Sequence, residues 1–234
     1  MNDNDLLTTL KLQSHAEQAP EWPASGRHIL AQFDSESIVV YQAYRPAIAD
    51  YAVKHQRFGG EFSFNRMSWI KPNFLWMMFR AGWATKEGQE RILAVRIRRP
   101  FFDEVLAGAV ASSFGVSGFG SHDDWKSALG SSEVRLQWDP DHDPKGNCLQ
   151  RRALQLGLRG RTLRRYGTEE VLGIEDITPF VEEQRTHVAS ASDLVVPVER
   201  MYVPERQDAI AAVALDVLGT EVRGKRERLD ANLP

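Results

Sequence analysis

Fifteen residues, Arg66 to Arg80 (RMSWIKPNFLWMMFR), constrain this chain more than any other stretch. They hold two Trp, two Phe, one Ile, one Leu and three Met, and Gly82-Trp83 follows closely. Between Phe74 and Phe79 no polar face is left, and a helix apolar all round belongs in a protein interior. Lys71-Pro72 predicts the entrance of that helix, because proline fits a first turn whose N–H needs no partner. Gly82 predicts its end, as the residue that turns left-handed at no steric cost. A helix over about 72–81 is far too short to span a bilayer, which takes about 20 apolar residues. Arg66, Lys71 and Arg80 flank the apolar run. Long cationic side chains can bury their stems while their charge faces a cleft, so these three are candidate anion-binding residues, with Trp69 as a candidate stacking platform.

The 234 residues are 42% hydrophobic and 26% charged, the balance of an ordinary globular protein. No linker composition divides the chain. One domain over 27–190 is expected, between a flexible arm (1–26) and a partly helical extension (191–234). Ser37 to Tyr44 (SIVVYQAY) reads as a strand and Pro46 opens a helix. EFSFNRMSWI, RILAVRI, VRLQW and RALQLGL read as further strands, whereas FFDEVLAGAVASS and PFVEEQRTHVAS read as helices. Strands and helices do not alternate regularly. The expected class is therefore α+β, a single compact domain with a mixed or antiparallel sheet around the buried apolar helix.

Several chemistries are excluded by their missing signatures. One cysteine, Cys148, cannot form an intrachain disulfide or the usual zinc sites. There is no phosphate-binding G-x-x-x-x-G-K-[ST], no G-x-G-x-x-G and no G-x-S-x-G. Asp139, Asp141 and Asp143 alternate like a calcium loop, but Pro144 stands where that loop needs glycine and Gln150 where it needs a bidentate glutamate. No metal is assigned, and a metal-dependent hydrolase using these acids is only a third reading. His122-Asp123-Asp124 suits helix capping better than a base held by a carboxylate. The N-terminus lacks a secretory pattern, so the cytoplasm is the expected location and no membrane partner is expected. Net charge is −3, which gives no overall attraction to nucleic acid. Four arginines lie in 91–99 and six in 151–165, candidate phosphate-facing patches.

At the end of the first strand, Tyr41, Gln42, Tyr44 and Arg45 form a polar and aromatic cluster. Arg45 can hold a phosphate or carboxylate bidentately and Tyr44 can stack. With Arg66, Trp69, Lys71 and Arg80 they form the predicted rim of a ligand site.

VVYQAYRPAIADYA, RMSWIKPNFLWMMFRAGWATK, QERILAVRI, VRLQWDPDHD and RALQLGLRG with IEDITPF together resemble the DUF4291 family, over roughly Arg27 to Val181. That resemblance implies a fold but no activity. The order of elements also resembles compact ADP-ribosyltransferase-like domains, although their Ser-Thr-Ser motif is missing. This second likeness implies NAD as cofactor, Arg45 on a nucleotide phosphate and Glu170 or Glu175 as the catalytic acid. A nucleotide-handling enzyme is thus the leading expectation, and a non-enzymatic nucleotide- or nucleic-acid-binding protein the alternative.

Overall fold

The computed structural model describes residues 10–190 and 192–217. In chain order the strands are β1 (Leu12–Ser14), β2 (Gly26–Arg27), β3 (Ile29–Ala31), β4 (Ser37–Tyr44), β5 (Ser68–Ile70), β6 (Arg91–Arg98), β7 (Ala109–Ala111), β8 (Val134–His142), β9 (Cys148–Leu158), β10 (Val171–Asp176), β11 (Val195–Pro197) and β12 (Arg200–Tyr202). The helices are α1 (His15–Gln18), α2 (Pro46–His55), α3 (Phe74–Ala81), α4 (Arg99–Ala107), α5 (His122–Ser131), α6 (Gly160–Thr168), α7 (Thr178–His187) and α8 (Gln207–Val213). The class is α+β.

Two sheets organise the molecule. One has the order β10-β6-β4 and is antiparallel throughout. The other runs β2-β9-β8-β7 with β5 added to β9; its β2/β9 and β7/β8 pairs are parallel and the rest antiparallel. Strand alternation then decides where each side chain goes. Ile38 and Val40 of β4 meet Leu136, Leu154, Leu156 and Ile70 of the second sheet in the larger core. Val39, Tyr41, Ile92 and Ala94 face the other way, onto α3 and α7, and form the smaller core with Phe74, Leu75, Met78 and Val181.

The apolar helix is therefore buried along most of its length, with Phe79 left 37% exposed, and it covers one sheet from outside; the larger core lies between the sheets. It also begins later. The main chain of Lys71 stays extended because its N–H and C=O pair with Tyr41 (3.3 and 2.7 Å). Asn73 then caps the helix, its Oδ1 accepting the Trp76 N–H at 2.6 Å. Gly82 closes it at φ 57°, the left-handed turn predicted for it.

Other expectations shift for local reasons. Only Ser68–Ile70 of EFSFNRMSWI is strand. Its Phe62 and Phe64 fold back in a turn to pack on each other, and Phe62 also packs on Phe58. FFDEVLAGAVASS splits at Gly108 into α4 and β7, which pairs with β8. The last strands, β11 and β12, carry no clear sequence pattern; they pair with β1 and β3 near the N-terminus. Residues 10–22, expected within a free arm, are packed: Leu10 and Trp22 are buried in the smaller core. Residues 1–9 and the charged tail from 218 lie outside the described residues.

Candidate functional site

Where β4 ends, Tyr44, Arg45, Glu61, Phe62, Arg66 and Ser68 surround a cavity of about 390 Å³. Its back wall is a hydrogen-bonded chain. Tyr44 Oη and Ser68 Oγ lie 2.7 Å apart, and Gln42 Nε2 donates to Ser68 Oγ (2.9 Å) and to the Trp69 carbonyl (3.1 Å). Tyr166 donates to Gln42 Oε1 at 2.7 Å. Burial pushes the Tyr44 phenol well up, and its bonds to Ser68 and Gln42 only partly offset this, so it stays a neutral donor or acceptor. At the mouth, Arg45 Nη2 meets Glu61 Oε2 at 2.5 Å, with both side chains more than half exposed. Such a pair holds little energy and opens readily to a competing anion. No ion pair among the described residues involves Arg66, which is exposed at the rim.

β5 connects this cavity to a second polar surface. Ser68 and Ile70 point inward, so Trp69 and Lys71 point to the outer face of the larger sheet. Trp69 lies over Gly157, where an added Cβ would come within 3.0 Å of its ring and 2.6 Å of Met67 Sδ. A glycine is required there for the indole to lie against the sheet. Beside it stand Arg135, Gln137 and Asp139 of β8 and Gln155 of β9, none of them fully buried. Gln155 Nε2 donates to Gln137 Oε1 (2.7 Å) and to Asp139 Oδ2 (2.6 Å). Lys71 is 6% exposed. Burial, then the Arg80 guanidinium, draw its pKa down to about 8 against the pull of Asp139.

The family model for the domain of unknown function DUF4291 matches residues 28–202. The chain belongs to the DUF4291 family. Comparison with curated proteins gives no match.

In this DUF4291 protein the predicted rim residues divide between two places. Tyr44, Arg45 and Arg66 line the cavity, with Gln42 directly behind it, whereas Trp69, Lys71 and Arg80 belong to the outer face and its border. Tyr41 is fully buried against α3, and its hydroxyl has no hydrogen-bond partner among the described residues. Glu175 lies on its level across the sheet, since Ala94 pairs with both. Glu170 sits at the far end of the same sheet. It accepts from Arg165 at 2.7 Å and lies 3.7 Å from Arg98, the partner of Ser37 at the start of β4. The length of β4, roughly 23 Å, separates it from Arg45.

Most of the other sequence candidates serve the fold. Of the arginines in 151–165, Arg151 is buried in a pair with Asp141, Arg159 caps α5 through the Ser132 and Gly130 carbonyls, and Arg165 binds Glu104 and Glu170. Asp139, Asp141 and Asp143 diverge to Gln155, Arg151 and the Lys145–Asn147 turn. Among the described residues no cluster of three or more His, Cys, Asp or Glu side chains could hold a metal. Ser121 caps α5, donating to Asp124 and accepting its N–H. No helix among these residues is long and apolar enough to cross a membrane.

Sequence reasoning missed Gln137 and Gln155. The signal was there: both are the polar members of an apolar/polar alternation, at positions facing away from the core. It also missed Glu199, 3% exposed, whose Oε1 accepts the Phe74 N–H at 2.6 Å and whose Oε2 accepts from Asn73 at 3.1 Å. Burial pushes this acid well up, opposed by the Phe74 bond. No local pattern marks it, because its partners lie about 125 residues away.

Proposed function

We propose that the cavity at the end of β4 binds a small phosphorylated ligand of the nucleotide class. The observation that carries this reading is the meeting of Arg45 and Arg66 with Tyr44 and Phe62 around one space of about 390 Å³. That volume suits a small-molecule site, and the side chains divide into phosphate-holding and ring-holding groups. Arg45 would exchange Glu61 for the phosphate. The Tyr44–Ser68–Gln42–Tyr166 chain would hold the inner wall, with the Tyr44 and Ser68 hydroxyls offered to a sugar or base.

NAD is the nucleotide that the ADP-ribosyltransferase resemblance selects. Transfer from NAD calls for a glutamate beside the ribose, and Glu61 is the carboxylate lining this cavity. Glu170 stands at the other end of the sheet and Glu175 on its α3 and α7 face, so binding is proposed here and transfer is not.

The test is a thermal-shift titration with NAD, ATP and ADP-ribose. A ligand at 100 times its Kd stabilises by about 2.7 kcal/mol, which raises Tm by roughly 5–10 °C in a chain of this size. At least one of the three should do so, with the shift lost in Arg45→Ala and Arg66→Ala proteins that keep the parent Tm. No shift at millimolar concentration of all three would refute the reading.

A further inference from the structure

The outer face of the larger sheet presents an aromatic ring beside a pair of amides held in one orientation. β5 pairs with β9 so that Trp69 stands level with Gly157, and β9 pairs with β8 so that Gln155 stands level with Gln137. Gly157 has no side chain to lift the indole, and Met67 Sδ covers the same glycine, so the floor there is apolar. Gly157 and Gln155 are two residues apart along β9, a step of about 7 Å. Trp69, Gln137, Asp139 and Gln155 are each half-buried, so part of every one faces solvent. None of the four lines the β4 cavity.

Asp139 decides how both amides point. An ionised carboxylate only accepts, so the Gln155 atom 2.6 Å from Asp139 Oδ2 is Nε2. The same Nε2 lies 2.7 Å from Gln137, whose facing atom is therefore Oε1. Both N–H groups of Gln155 are thereby used. Gln155 Oε1 and Gln137 Nε2 have no hydrogen-bond partner among the described residues, and turning either amide over would break the bonds just described. An acceptor and a donor thus stand together, one strand step from the indole.

We propose that this face is a second binding site, a platform for a purine base. A purine is a fused bicycle like the indole and stacks on its solvent-facing side. Its length spans the step from Gly157 to Gln155. Its edge then meets the amides: the ring nitrogen and amino group of adenine, or the carbonyl and ring N–H of hypoxanthine, set an acceptor beside a donor. Gln137 Nε2 and Gln155 Oε1 offer the complementary pair, as a glutamine amide does when it reads adenine in nucleic acid. A pyranose also stacks on indole, but its hydroxyls rotate to suit any partner and gain nothing from amides locked in one orientation. The proposal does not rest on the reading of the β4 cavity.

The test uses adenosine and inosine, purines that carry no phosphate, with uridine and maltose as comparators. The readout is the indole N–H signals of the six tryptophans in a proton–nitrogen correlation spectrum. The Trp69 signal is identified by its loss in Trp69→Phe. It should move saturably with at least one purine nucleoside, while the signals of the buried Trp22 and Trp76 stay in place. Gln137→Leu and Gln155→Leu should each weaken binding about five- to tenfold, with the other indole signals unmoved as the check on folding. Arg45→Ala should leave the titration as it is, since these probes have no phosphate for the cavity to hold. No movement of the Trp69 signal at millimolar purine, or an affinity unchanged in both glutamine variants, overturns the inference. So does binding of uridine or maltose as tight as that of the better purine. A shift lost in Arg45→Ala and kept in the glutamine variants would put the purine in the β4 cavity, and the platform would be refuted while the cavity reading stood.

Discussion

Replacing Lys71 by Met offers a stability measurement that tests the unusual amine without reference to any ligand. In the fold its pKa is about 8, against 10.5 for the free side chain. The difference corresponds to about 3 kcal/mol. The sign follows from proton binding. Between pH 8 and 10.5 the unfolded chain keeps a proton that the folded chain has released, so this residue makes stability rise with pH across that window. Below pH 8 the full cost is present; above 10.5 it is gone. Lys71→Met removes the titration and keeps most of the buried stem. The variant should therefore be more stable than the parent by about 3 kcal/mol at pH 7, roughly 6–12 °C in Tm. The gain should shrink to near zero by pH 10.5. Urea unfolding followed by tryptophan fluorescence at half-unit pH steps reads the difference directly, with the m-value as a check that the denatured states compare. A difference curve that stays flat between pH 7 and 10.5 would show that the amine is ordinary, and the reasoning about its burial would fail with it.

Other perturbations test separate parts of the structure. Arg151→Met leaves Asp141 buried at 1% side-chain exposure without its partner and should cost about 3–5 kcal/mol, whereas Arg151→Met with Asp141→Leu should recover much of it; equal losses in both proteins by urea denaturation would argue against the pair. Asn73→Ala removes the cap of α3 and a donor to Glu199 and should cost about 1–2 kcal/mol, and a loss below about 0.3 kcal/mol would mean that the helix end is held otherwise. Glu133 accepts the Arg161 and Thr162 N–H groups at the start of α6; burial raises its pKa, but these bonds outweigh that and leave it lowered. Glu133→Gln should thus lose about 0.5–1 kcal/mol at pH 7, a deficit that fades as pH falls below the ordinary carboxylate range; a deficit constant down to pH 3 would contradict the assignment.

What could be read from the sequence was whatever depended on near neighbours. The strand Ser37–Tyr44 was legible to the residue, because five of its eight residues are β-branched or aromatic and a proline that starts α2 follows closely. The apolar helix and its terminal glycine were legible for the same reason. The starting point of α3 was not, since the bridge from Lys71 to Tyr41 joins residues thirty apart and overrides the local preference of Pro72. The candidate site shows the same limit. Arg45, Tyr44 and Arg66 could be named as polar residues at the ends of apolar elements. That they share a cavity while Trp69, Lys71 and Arg80 belong to another surface follows from the alternation of a three-residue strand, whose register is set by β9. Gln155, Asp139 and Glu199 gain their roles only from partners far along the chain.

Glu199 ties the family domain to residues beyond its edge. Its N–H donates to the Gln18 side chain, and its carbonyl accepts from the Trp22 indole at 2.9 Å. Nearby, Arg151 reaches the Pro23 carbonyl. All three of those residues precede position 28, where the match to the family model begins. The segment that the family model matches is thus smaller than the unit that folds here. A relative whose chain lacks an equivalent of residues 18–23 must inherit a different solution for the carboxylate beneath α3, by exchanging Glu199 for a neutral side chain or by recruiting donors from elsewhere. The two changes should travel together through the family's descent.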